Sequence, residues 1–341
     1  MSEDLVIRRP EGLYCPAGDF HIDPWRAVPR AIVTHAHADH ARTGHGRYLC
    51  AAPGAGVLRA RLGKITLQTL AYGEAINIGG VRVSLHPAGH VLGSAQVRLE
   101  HGGQVWVVSG DYKIEPDRTC TAFEPVRCDC FITESTFALP IYRWRPATEV
   151  FSEINAWWRD NVAAGRPSLL RGYSLGKAQR LLSGLDADIG TIVVHSSVEP
   201  INEAYRNEGV SLPDTLRLNE SLGDDVWQRA LVLAPPSATA KGPLAARLAQ
   251  ASQASASGWL QLRKARKAAG LDKCFVLSDH ADWPGLVSAI GASGAQRVIV
   301  THGQEDALVR CLQEQGLDAA SMQTVHGEAG PAAAQQDQQA P

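Results

Sequence analysis

The segment Thr34-His35-Ala36-His37-Ala38-Asp39-His40 constrains this chain more than any other, because it packs three imidazoles and one carboxylate into six consecutive residues. The apolar run Ala31-Ile32-Val33 leads into it, with Pro29 and Arg30 in front. That run reads as a short buried strand, and the His-rich segment as the loop or helix start at its end. Neutral imidazole nitrogen and carboxylate oxygen are ligands for zinc, manganese or iron. One loop carrying four such groups can serve two ions, with His35 and His37 facing one and Asp39 and His40 the other. The segment is internal and mixed in composition, unlike a purification tag.

The 341 residues suffice for one large or two moderate domains with a substantial core. No apolar run approaches membrane-spanning length, and Met1-Ser2-Glu3-Asp4 lacks the layout of a signal peptide, so a cytoplasmic location and no membrane partner are expected. The seven cysteines stand singly except for Cys128 and Cys130, which argues for reduced thiols over a disulfide framework or a Cys-based zinc site. A net charge of −2 means that any nucleic-acid surface must be a local patch of cations.

The pattern His-x-His-x-Asp-His is similar to the signature of the metallo-β-lactamase superfamily, and so implies a metal-dependent hydrolase. Phe20-His21-Ile22-Asp23 alternates like a strand. By resemblance Asp23 supports the metal loop from behind, while Asp23 before Pro24 also suits a simple turn. Strand-like segments at 65–70, 81–86, 95–99 and 105–108, separated by Gly79-Gly80 and His101-Gly102-Gly103, suit one sheet of a two-sheet sandwich. Two further turns resemble superfamily metal motifs in order and context. His90, in Pro87-Ala88-Gly89-His90, would complete the first ion's imidazoles, and Asp111, in Ser109-Gly110-Asp111-Tyr112, would bridge both ions. His45, His86 and His101 lack such context and read as ordinary histidines. Glu134 ends the apolar run Cys130-Phe131-Ile132-Thr133, and an unpaired Glu in a core would be costly.

Beyond residue 140 the texture changes. Val150, Ile154, Trp157 and Trp158 share a helical face, and strands at 168–170, 191–194 and 230–233 alternate with helices, which argues for a parallel α/β unit. The expected organisation is 1–140 as the first part of one domain, 141–272 inserted into it, 273–326 completing it, and 327–341 a disordered Ala/Gln/Pro-rich tail. The Ala/Ser-rich stretch 237–258 reads as a loop or weakly specified connection.

Taken together, Glu134, Ser278-Asp279-His280-Ala281-Asp282 and Thr301-His302-Gly303 resemble the extra motifs of the β-CASP nucleases. That resemblance implies an α/β fold, an αββα metallo-β-lactamase sandwich carrying an inserted β-CASP cap. It makes His302 the remaining ligand of a second ion. It also places His280 at the scissile phosphate or leaving oxygen with Glu134 orienting it, and counts Asp39 as both ligand and catalytic residue. Two divalent ions, zinc or manganese, are implied as cofactors.

For substrate binding, Arg171-Gly172-Tyr173-Ser174-Leu175-Gly176-Lys177 reads as a strand–loop–helix unit whose Ser174 and Lys177 could hold a phosphate. Trp259 could stack on a base, with Arg263, Lys264, Arg266 and Lys267 following a backbone; a solvated helix face with a core Trp is the plain alternative. The stretches 11–19, 22–26 and 277–283 are similar to those of bacterial ligase-associated DNA exonucleases. This implies single-stranded DNA as substrate, 5′-to-3′ cleavage, and a functional link to an ATP-dependent DNA ligase and a helicase in repair. RNA processing is the alternative, and small-molecule hydrolysis a more distant one.

Overall fold

The computed structural model describes residues 4–239 and 241–322; the tail expected at 327–341 lies outside the described residues. The chain forms two compact units, one holding the residues up to Arg143 and from His280 onward, the other running Trp144–Asp279.

In the first unit, six short strands follow one another across a sheet: β1 (Ile7–Arg9), β2 (Gly12–Cys15), β3 (Phe20–Ile22), β4 (Arg30–Ile32), β5 (Arg47–Ala51) and β6 (Leu67–Leu70). Helix α1 (Ala55–Leu62) joins the last two. An antiparallel meander then runs through β7 (Ala75–Ile78), β8 (Val81–Pro87), β9 (Ala95–His101) and β10 (Gln104–Val108), and β11 (Cys130–Ser135) pairs parallel to β10. In β8, Val81, Val83 and Leu85 are fully buried while Arg82 points to solvent, the period of two that fixes register.

The second unit holds α2 (Ala147–Ala163), β12 (Ser168–Arg171), α3 (Lys177–Gly184), β13 (Ile192–Val194), α4 (Glu199–Asn207), β14 (Leu216–Arg217), α5 (Asp224–Arg229), β15 (Leu231–Ala234), α6 (Gly242–Ala249), β16 (Ser252–Ala256), α7 (Arg263–Ala269) and β17 (Lys273–Phe275). Its six strands are all parallel, in the order β14-β13-β15-β12-β16-β17. Val150, Ile154 and Trp158 of α2 and Leu181 and Leu182 of α3 pack on one face against Leu170, Val194, Leu233 and Phe275. The stretch 237–258 is not a loop: it contains α6 and β16. Ser252-Gln253-Ala254-Ser255-Ala256 carries little apolar signal, yet parallel pairing to β12 and β17 on either side makes it a strand. Likewise 273–275 pairs with β16, so the second unit extends to Asp279 rather than ending at 272.

The chain closes the first unit with α8 (Trp283–Ser293), β18 (Arg297–Gly303), α9 (Glu305–Glu314) and β19 (Asp318–Ser321). This completes a seven-stranded sheet in the order β19-β18-β11-β10-β9-β8-β7. Its inner strands are covered on both faces and are therefore almost continuously apolar. Trp106, Val108, Ile132 and Ile299 join the core shared with Ile22, Ile32 and Leu49 of the first sheet, whereas Val107, Phe131, Val298 and Val300 pack on Leu286 and Ile290 of α8 and Leu308 and Leu312 of α9. Because β10, β11 and β18 are mutually parallel, their C-terminal ends lie side by side, and Asp111, Glu134 and His302 sit there.

Candidate metal centre

The His-rich segment leaves the end of β4 and is braced from β3. Asp23, the first residue past β3, takes a left-handed backbone (φ 44°). Its Oδ1 accepts the Thr34 amide at 2.7 Å, and its Oδ2 accepts the Thr34 hydroxyl at 2.5 Å and lies 2.7 Å from His40 Nδ1. These bonds fix tautomers. A carboxylate only accepts, so His40 carries its proton on Nδ1 and leaves the lone pair on Nε2. The Thr34 hydroxyl has already donated to Asp23, so it accepts from His35 Nδ1 at 3.1 Å, which likewise leaves the His35 Nε2 lone pair. Asp23 thus both starts a turn and supports the loop.

Two turns close in on this loop. His90 is held by its own amide and that of Val91 donating to Ser94 Oγ. Asp111 follows Gly110, whose φ of 56° and whose approach to Thr34, 2.7 Å from where a Cβ would stand, admit only glycine without displacement. At the end of β18, His302 is also left-handed (φ 61°) and sits opposite a register shift between Thr133 and Ser135 of β11. Such irregularities re-aim side chains at a sheet rim. Ser135 Oγ donates to the carbonyls of Thr301 and His302, each at 3.0 Å, which holds the bend.

Three clusters of donor atoms result: His35, His37, His90 and Asp111; Asp39, His40 and His302; and Asp111, Glu134 and His280. In the first, His37 Nδ1 is 3.0 Å from His35 Nε2 and 3.0 Å from His90 Nε2, and Asp111 Oδ2 is 3.6 and 3.7 Å from those same Nε2 atoms. Four ligands about 2.0–2.1 Å from one tetrahedral ion stand roughly 3.3–3.4 Å apart, so the spacing fits a shared cation. In the second, Asp39 Oδ2 lies 3.5 Å from His40 Nε2 and 3.6 Å from His302 Nε2. Asp111 Oδ2 also lies 3.5 Å from His40 Nε2, so one oxygen faces both sets. Asp39 Oδ1, His40 Nε2 and Asp111 Oδ1 are buried with no hydrogen-bond partner among the described residues, a costly arrangement that a bound cation relieves.

The electrostatics agree. Burial and the neighbouring His40 hold His35 well below the ordinary imidazole value. Burial works against charge on His40, but Asp111, Asp39 and Asp23 outweigh it and push His40 well above 6.5. Burial also opposes ionisation of Asp39 and Asp111, yet His40 holds both well below the carboxylate range, helped by the His302 hydrogen bond at Asp39 and by His280 at Asp111. A proton on His40 occupies the place of a cation.

In the third cluster, Glu134 accepts the Tyr112 amide at 2.8 Å and receives His280 Nδ1 at 2.9–3.0 Å, which leaves His280 presenting Nε2 as its other nitrogen. The His280 side chain is 12% exposed, against 2% for Glu134. Three contributors carry no local sequence signal. They are Thr34, the Tyr112 amide, and Arg61 of α1, which donates to the loop carbonyls of Ala36 and Ala41.

The substrate-side residues named from sequence all lie in the second unit. Lys177 is not available at a surface: it is 3% exposed, its Nζ is 2.9 Å from Asp279 Oδ2, and it donates to the Leu277 carbonyl at 2.7 Å. Trp259 is buried and so is a core residue rather than a stacking platform. Arg171 is half-buried and donates to Pro236 O and Gln253 Oε1. Ser174 Oγ pairs with Ser197 Oγ at 2.7 Å. Arg263, Lys264, Arg266 and Lys267 are exposed along α7.

Buried imidazoles and carboxylates gathered at one rim of the first unit's sheets form a candidate metal centre. No family model matches the chain. It is 31% identical over 316 residues, 92% of its length, to a protein named "Probable DNA ligase" of Opitutus terrae, but spans only 30% of that relative. It is 34% identical over 131 residues to "Cleavage and polyadenylation specificity factor 73" of Drosophila melanogaster, covering 38% of this chain and 19% of that one. It is 34% identical over 122 residues to "Endoribonuclease YSH1" of Candida albicans, covering 35% and 14%. The chain therefore spans less than a third of the length of these curated relatives. Among solved structures, a protein of unknown function from Enterococcus faecalis superposes over 88% of this chain and 80% of its own with a TM-score of 0.58 at 12% identity, a likeness of fold. The chain thus has relatives in the β-CASP metallo-β-lactamase family, and its buried His and Asp clusters suit a bound metal ion. Among the described residues, no helix is long and apolar enough to cross a membrane.

Proposed function

We propose that the protein is a two-metal DNA exonuclease that degrades single strands from the 5′ end in DNA repair. The reading rests above all on Asp111 Oδ2, which stands 3.5–3.7 Å from His35, His90 and His40 Nε2 and so lies between two ligand sets. His35, His37 and His90 would hold one ion and Asp39, His40 and His302 the other, with Asp111 facing both sets, and zinc or manganese suits these donors. Bound divalent ions supply charge neutralisation at the phosphodiester and acidify water. Asp39 would contribute through the metal it helps to hold, its carboxylate kept ionised beside His40 and His302. His280, oriented by Glu134, donates a proton to the leaving oxygen. Trp144–Asp279 is the β-CASP cap inserted into the αββα sandwich, and its exposed α7 cations attract the strand's backbone. We place the enzyme in the cytoplasm, in keeping with seven free thiols.

The relative named as a DNA ligase favours DNA and a functional link to ligation. The relatives named as endoribonucleases favour the second reading, RNA cleavage at the same site. The deciding experiment digests 5′- and 3′-labelled single-stranded DNA and RNA in Mn²⁺ or Zn²⁺. Stepwise loss of nucleotides from the 5′ end of DNA is expected, with Asp39→Ala and His280→Ala inactive and the latter retaining its metals. Preferred cleavage of RNA, or internal cuts, would refute the DNA exonuclease assignment.

A further inference from the structure

The second unit contains a cavity whose lining includes none of the candidate metal ligands. It measures about 430 Å³ and lies along the face of the parallel sheet that α6 covers, and it is lined by Arg171, His195, Leu218, Leu244, Leu248 and Gln253 among others. Sites for small ligands have volumes of roughly 300–1,000 Å³, and in open α/β sheets they sit beyond the C-terminal ends of the strands. Arg171 is the last residue of β12, and His195 is the first past β13. The sheet face below continues an apolar cluster built on Leu169, Val193 and Val232, with Leu244 and Leu248 of α6 packed against it.

Two polar groups in this cavity are poised for a ligand. The Arg171 guanidinium has five N–H donors but makes only two hydrogen bonds, each 3.4 Å long, to Pro236 O and Gln253 Oε1, and no carboxylate lies within ion-pair distance of it among the described residues. A half-buried charge in that position is uncompensated, and burial lowers its pKa. His195 Nδ1 accepts the Ser197 amide at 3.2 Å, so the neutral ring carries its proton on Nε2, and burial, with Arg217 nearby, pushes the imidazole pKa down. Cation, N–H donor and apolar floor together match an anionic headgroup joined to a flat, weakly polar body.

We propose that this cavity is a binding site for a nucleoside monophosphate, with Arg171 on the phosphate, His195 Nε2 as a second donor, and the base on the leucine-lined floor. The cavity is lined by second-unit residues alone, whereas the candidate metal ligands belong to the first unit, and the proposal does not rest on the nuclease reading. The test is calorimetric titration of the full, metal-loaded chain with deoxyadenosine monophosphate, deoxyadenosine, inorganic phosphate and octanoate, using wild type, Arg171→Met, Arg171→Lys and Ala245→Trp. Ala245 lies on α6 and lines the cavity without bearing on the metal ligands, so its Trp variant fills the space. Removing a charge-assisted hydrogen bond weakens affinity roughly ten- to a hundredfold. That loss is expected for the monophosphate in Arg171→Met and Ala245→Trp, with weak binding of deoxyadenosine or phosphate alone. Should Arg171→Met fail to fold by its melting curve, Arg171→Lys and Ala245→Trp carry the same comparison. No monophosphate binding, binding that persists in Ala245→Trp, or tighter binding of octanoate would overturn the proposal.

Discussion

Asp23→Asn separates the shape of the metal loop from its proton arrangement. Asparagine has the size of aspartate and tolerates the left-handed backbone at φ 44°, so the turn after β3 survives. What changes is the group 2.7 Å from His40 Nδ1. With the amide oxygen still accepting from the Thr34 amide, the –NH₂ takes the place of Oδ2 and donates to Nδ1. The His40 proton then resides on Nε2, the atom that faces Asp39 and Asp111, and the lone pair for the ion is gone. Losing an outer partner of a ligating histidine costs about 10–100-fold in metal affinity, or ~1.4–2.7 kcal/mol. The same –NH₂ also removes the acceptor of the Thr34 hydroxyl, which then no longer has to accept from His35 Nδ1, so the His35 set should weaken too, indirectly and by less than the Asp39/His40/His302 set. The assay is metal stoichiometry and affinity by competition with a chromogenic chelator, with circular dichroism as the fold control. We expect two ions per wild-type chain, and in Asp23→Asn both weakened, the Asp39/His40/His302 ion the more strongly. Unchanged affinity for both ions would refute the tautomer argument, and a loss confined to one ion would show that Thr34 holds His35 without its bond to Asp23.

Three further predictions use the same geometry. His40 is raised above 6.5 in the metal-free fold, so its contribution to stability is complete at low pH and disappears as pH rises through that elevated value. The melting temperature of chelator-treated protein should therefore fall as pH climbs from 6.5, while added metal increasingly restores it, since binding displaces the His40 proton; a gap independent of pH would count against this. His280→Ala and Glu134→Gln should lower cleavage of ordinary phosphodiesters by ~10²–10⁴-fold but spare a p-nitrophenyl ester, whose leaving group needs no proton, with metal content unchanged; an equal loss on both substrates would remove His280 from the acid role. Gly110→Ala, at φ 56° and 2.7 Å from Thr34, should destabilise the fold by more than ~1 kcal/mol in urea titration and loosen metal binding, whereas an unchanged midpoint would contradict the close packing of these two turns.

The sequence by itself determined which residues could bind metal and the order in which they occur. His35 to His40 concentrate ligand chemistry in a spacing that ordinary loops do not produce, and the apolar runs before Asp111, Glu134 and His302 mark strands that deliver a polar residue at their ends. Strand periodicity is local, so these features survive without a fold. Only the tertiary structure decided what lies between them. Parallel pairing of β10, β11 and β18 sets Asp111 against four imidazoles drawn from distant segments, and Arg61 and the Tyr112 amide enter the site through backbone contacts that leave no mark in composition. Tertiary pairing made a strand of the Ala/Ser-rich 252–256. Packing turned Lys177 and Trp259 inward, because an ammonium beside Asp279 and an indole in a core are satisfied where they are, whatever a surface motif suggests. Local chemistry is written in the chain, but the distance between two charges is a property of the fold.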